Sequence, residues 1–94
     1  MKEHVEKFED IWELNAWWIQ KILRRLSWKT LIKATKSIDA KTEKNILMNL
    51  SKKGQNKYIK KSSKMKVSEK QCEKAKEKIV KMFRRIQIQE NTLI

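Results

Sequence analysis

Ninety-four residues pass without a proline, and Gly54 is the only glycine. Leu, Ile, Lys, Glu, Met and Gln, all good helix formers, fill most of the chain. A sequence so short of the residues that build tight turns implies an all-α protein with short polar connections. Its punctuation consists of N-cap residues, whose side-chain oxygens accept from the first free N–H groups of a helix. Asn15, Ser27, Asp39, Ser51 and Ser68 stand at such positions. The length fits one domain, residues 1–94, with a modest core.

Apolar spacing of three and four residues then places the helices. His4–Trp12 carries Val5, Phe8, Ile11 and Trp12 on one face. Ala16–Leu26 has the stripe Ile19, Ile22, Leu23 and Leu26, with Gln20, Lys21, Arg24 and Arg25 opposite. Trp17 and Trp18 open that helix and are expected to pack on a neighbour. Trp28–Lys36 is anchored by Leu31, Ile32 and Ala34, and Ala40–Leu50 by Ile46, Leu47 and Leu50. Ser68 and Gln71 form a capping box for a last helix ending near Ile86 or Ile88. Its inward stripe is Cys72, Ala75, Ile79, Met82, Phe83 and Ile86, and residues 89–94 read as a loose tail. The expectation is a compact bundle of about six short helices.

The stretch Asn49–Lys61 is different in kind. A helix started by Ser51 holds only Tyr58 and Ile59 as large apolar residues, while Lys53, Lys57, Lys60 or Lys61, and Lys64 share a face. Like charges at that spacing repel, so the face does not serve helix stability; composition alone favours an ordinary solvated lysine-rich face, and the narrow apolar seam suits a presented surface. Lys60–Lys66, with Ser62 and Ser63 and no acid, reads as the loop that follows.

The formal charge of +13 and a pI near 10.0 favour acidic partners. Lone Cys72 excludes an internal disulfide, and lone His4 near the terminus has no companion with which to bind metal or move protons. No phosphate-binding glycine loop is present, and the carboxylates are mixed with lysines along helix faces. No catalysis and no cofactor are therefore expected. No apolar run reaches the roughly 18 residues of a membrane span, and Met1–Glu9 is charged throughout, so a cytoplasmic protein is expected.

Several blocks recur together in one known family. They are Phe8-Glu9-Asp10-Ile11, Ile19-Gln20-Lys21-Ile22-Leu23, Leu31 with Ala34 and Lys36, and Ile46-Leu47. After them come Asn49-Leu50-Ser51-Lys52-Lys53, Ala75-Lys76-Glu77-Lys78-Ile79-Val80 and Arg84-Arg85-Ile86. In order and near-spacing over residues 8–86, this set resembles the C-terminal motor domain of the flagellar motor switch protein FliG. The resemblance implies a six-helix, non-catalytic rotor component of the C-ring, cytoplasmic and peripheral to the inner membrane at the flagellar basal body. It implies a charged helix facing the cytoplasmic loop of the stator protein MotA for torque and switching, with neighbouring FliG subunits and FliM as further partners.

By that resemblance the stator-facing charged positions fall on Lys36, Lys53, Lys60, Lys61 and Ser68. The family's acidic pair falls on Lys60 and Lys61, so both charges are reversed, and Ser68 stands where arginine is usual. Lys33 and Thr35 occupy places normally taken by core aliphatics, which implies a weak patch of core. The family's other domains are not in this sequence, which makes it either a fragment or a reduced relative. The alternative reading, from charge alone, is a small basic helical domain that binds nucleic acid through lysines.

Overall fold

The computed structural model describes residues 5–92, and His4 lies outside that range. The described residues form six helices: α1 (Phe8–Ile11), α2 (Ala16–Arg25), α3 (Trp28–Ala34), α4 (Ala40–Met48), α5 (Lys52–Lys64) and α6 (Glu69–Thr92). Every expected cap is made. Trp18 N–H donates to Asn15 Oδ1 at 3.2 Å, Thr30 N–H to Ser27 Oγ at 3.2 Å, and Thr42 N–H to Asp39 Oδ1 at 2.9 Å. The Thr42 hydrogen bonds hold the Asp39 carboxyl below the usual carboxylate range. Gly54 N–H donates to Ser51 Oγ at 3.0 Å. At the start of α6, Gln71 N–H donates to Ser68 Oγ at 3.2 Å while Ser68 N–H donates to Gln71 Oε1 at 3.0 Å.

Several boundaries differ from the sequence reading, three of them by more than two residues. The first helix is a single turn, because the Asp10 carboxylate accepts from Glu6 N–H and Lys7 N–H at 3.1 Å and fixes its start there. The segment Lys60–Lys66 is not a loop as far as Lys64: α5 continues through it, and the connection is residues 65–68. Nor is 89–92 a loose tail, since α6 runs to Thr92 and Glu90 pairs with Lys21 of α2; residues 93–94 lie outside the described range.

α6 is the axis of the fold. Cys72, Ala75, Ile79, Phe83 and Ile86 are buried along it as expected, Val80 joins them, and Met82 is half-buried. α3 and α1 pack on it directly, and Trp18 of α2 meets Phe83 edge-on with ring centroids 5.3 Å apart. Phe8 and Trp12 make a second edge-on pair at 5.6 Å. Lys76 of α6 reaches Glu9 at 3.4 Å and closes the α1 side. Of the two opening tryptophans only Trp18 is buried; Trp17 is 51% exposed, under the Lys21 ammonium.

Thr35 overturns the expected weak patch. It is buried at the end of α3, where its hydroxyl donates to Leu31 C=O at 2.9 Å and accepts from Tyr58 Oη at 2.8 Å. A hydroxyl with both functions satisfied costs little to bury. Lys33 is half-buried at the α3–α6 boundary.

Two substitution pairs test this packing. Phe83→Ala should cost about 3–5 kcal/mol in urea denaturation, while Met48→Ala, on a residue 69% exposed, should stay within about 0.5 kcal/mol. Equal effects would place the core elsewhere. Thr35→Val leaves the Tyr58 hydroxyl without its acceptor and should lose roughly 1–3 kcal/mol. Thr35→Leu should lower the melting temperature as well; a rise would mean that an aliphatic is wanted at this position after all.

Candidate functional site

The lysine-bearing helix is positioned by few contacts. Tyr58 is the one buried residue of α5, and Ile59 is 57% exposed. Burial pushes the Tyr58 phenol above its ordinary value of 10.0, so it remains a hydroxyl donor to Thr35. At the front of the helix, Gln55 Nε2 donates to Leu47 C=O at 2.9 Å and Leu50 C=O at 3.1 Å, joining α5 to the end of α4. Gly54 lies in the first turn, where a Cβ would be tight against Ser51 Oγ at 3.3 Å but in ordinary contact with the Trp28 ring at 3.7 Å.

Six lysines stand on these thirteen residues, with no acid among them. Lys53, Lys60 and Lys61 are exposed, and among the described residues none of the six lies within 4 Å of a carboxylate. Lys53 and Lys60 are two turns apart on one face, and Lys61 is one step round. Lys57 leans over the Trp28 ring, 5.5 Å from its centroid, a cation–π contact that aims the first part of the face. Lys61 and Lys64 border a shallow depression of about 490 Å³ floored by Trp28, Ile32 and Met65.

The structure brings Lys36 to this helix as well. It lies in the turn after α3, and its ammonium donates to the Ser62 carbonyl in the last turn of α5. A cation there complements the negative end of the helix dipole. Ser68 is set apart by the 65–68 connection, and its hydroxyl is engaged as the cap of α6. The sequence reading did not identify Trp28 as the partner of Lys57, nor Thr35 as the partner of Tyr58.

Such a surface can bind anions but assembles no reacting groups. Among the described residues no group of three or more His, Cys, Asp or Glu is placed to hold a metal ion, and no helix is long and apolar enough to cross a membrane.

Comparison with known proteins bears on the whole arrangement. No curated protein matches the chain. Among solved structures it is similar to FliG residues 116–343 from H. pylori, with a TM-score of 0.85 and 24% identity, over 90% of this chain and 38% of that one. It is also similar to full-length FliG from Aquifex aeolicus, with a TM-score of 0.79 and 26% identity, over 86% of this chain and 26% of that one. The chain thus spans well under half the length of either structure. The family model of the FliG C-terminal domain matches residues 1–92, and on that match the chain belongs to the FliG C-terminal domain family.

Proposed function

We propose that the protein is a non-catalytic rotor component of the flagellar switch complex, and that α5 is the surface it turns toward the stator. Family membership supports the rotor role. The observation that carries the surface is α5 itself: six lysines, no acid, and a single buried anchor. On this reading Lys36, Lys53, Lys60 and Lys61 face the cytoplasmic loop of MotA, and Ser68 holds the remaining position without charge. Neighbouring FliG subunits and FliM are the other partners proposed, at the cytoplasmic side of the basal body.

The electrostatics of that encounter differ from an arrangement with an acidic pair. Two unit charges about 4 Å apart interact by roughly 1 kcal/mol in water, and by more where water is partly excluded. Reversing two of them turns attraction into repulsion for a stator loop that carries cations opposite the pair, and salt weakens the effect. A carboxylate on the loop is still drawn to Lys53.

The domain, grafted into the rotor of a motile bacterium in place of its own, should therefore give flagellated cells that rotate poorly in tethered-cell assays. Lys60→Asp with Lys61→Asp should recover part of the torque. A graft that turns at the host's speed, or a double substitution that restores nothing, would defeat the stator-facing assignment.

A second expectation separates this role from nucleic-acid recognition. Phosphate contacts alone give binding that ignores sequence and falls steeply with salt. DNA binding in anisotropy titrations should be sequence-indifferent and lost near about 0.15 M salt. Selective binding there at roughly 10⁻⁸ M or tighter would overturn the rotor reading.

A further inference from the structure

A second cationic surface lies away from α5, along the seam where α3 rests on α6. Lys74, Lys78, Lys81 and Arg85 follow one another on α6 at spacings of four, three and four residues, so they form one stripe about 16 Å long. Lys33 of α3 and Arg25 at the end of α2 flank it. Two adjoining clefts, of about 500 and 200 Å³, lie end to end along the seam and form a trough with Thr30 and Lys78 at their shared border.

The walls of this trough contain no carboxylate, and among the described residues none of its six cations lies within 4 Å of one. Glu73 and Glu77 of α6 line the depression on the α1 side, where Lys81, at the edge of the stripe, borders both surfaces. The charges of α6 are thus mixed toward α1, while the lining toward α3 holds cations without a carboxylate. The floor is apolar where Leu26 and Met82 meet, both half-buried.

We propose that this trough is a docking groove for an acidic amphipathic segment of a partner protein. The cations fix the sign of the occupant. Their spacing matches carboxylates repeated every three or four residues along a helix of about eleven residues. The Leu26–Met82 floor gives that helix a place to bury apolar side chains, in the manner of helix-in-groove recognition. A nucleic acid fits less well: no aromatic side chain lines the trough, so bases have nothing to stack on. The inference does not depend on α5 facing a stator.

The test uses the whole chain and a fluorescein-labelled peptide of about 14 residues, with glutamates at three- and four-residue spacing beside a leucine stripe. A scrambled peptide of equal composition and an oligothymidylate of about 14 nucleotides are the competing probes. In anisotropy titrations at about 0.15 M salt the patterned peptide should bind at least about tenfold tighter than the scrambled one. Lys78→Glu with Arg85→Glu should weaken it about tenfold or more, and Lys78→Ala with Arg85→Ala should act in the same direction. The charge-matched pair Lys41→Glu with Lys44→Glu, on α4, should change it less than about twofold. Circular dichroism and melting of each variant confirm that the fold is kept. Equal binding of the scrambled peptide, tighter binding of the oligonucleotide, or equal loss in the α4 pair would overturn the proposal.

Discussion

A helix leaves its last carbonyls without intrahelical partners, and leaving a polar group buried and unsatisfied costs about 1–3 kcal/mol. Roughly a third to a half of helices solve this with a residue in the left-handed region just past the helix, most often glycine. Here no described residue has positive φ, and Gly54 lies inside a helix. Local i→i+3 backbone bonds close part of the ends of α3 and α4, and side chains, several from other segments, take further carbonyls. Gln20 of α2 donates to Asn49 C=O at 2.6 Å, and Gln55 of α5 covers Leu47 and Leu50. The Asn49 amide reaches back to Asn45 C=O at 2.8 Å, and Lys36 reaches Ser62 C=O. The ends of α4 and α5 are thus partly a tertiary property, and the packing of α2, α4 and α5 is coupled through them.

This coupling explains what the sequence revealed and what it did not. Helix starts at Asn15, Ser27, Asp39, Ser51 and Ser68 were all legible, because an N-cap is a contact between residues three apart. Helix ends were not. α3 stops at Ala34 rather than Lys36, α4 at Met48 rather than Leu50, and α5 and α6 run on past the expected ends. The serines and lysines of 60–64 have the composition of a loop, yet Lys36, 26 residues away in sequence, braces the turn they form. The last turns of α6 are held by Lys21, 69 residues distant from Glu90. Local composition carries neither fact.

The functional surface divides the same way. The α5 lysines could be read as one face because three- and four-residue periodicity survives folding unchanged. The trough between α3 and α6 could not, since Arg25, Lys33 and Lys78 come together only when three helices meet. The two surfaces share α3, which contacts both α5 and α6. A helix of seven residues therefore stands between two lysine-rich faces.

The hydroxyl relay from Tyr58 through Thr35 to Leu31 C=O carries a consequence for how such a domain changes over generations. Residues that share a hydrogen bond are energetically coupled, so their substitutions do not add. An aliphatic arriving alone at position 35 strands a phenol, and a phenylalanine arriving alone at position 58 removes a donor that Thr35 now meets. Changed together, the two positions become an ordinary apolar contact. The polar and apolar versions of this contact are therefore separate peaks joined by a less stable intermediate. With Tyr58 and Thr35 both present, either change made alone costs stability, so the two positions constrain one another.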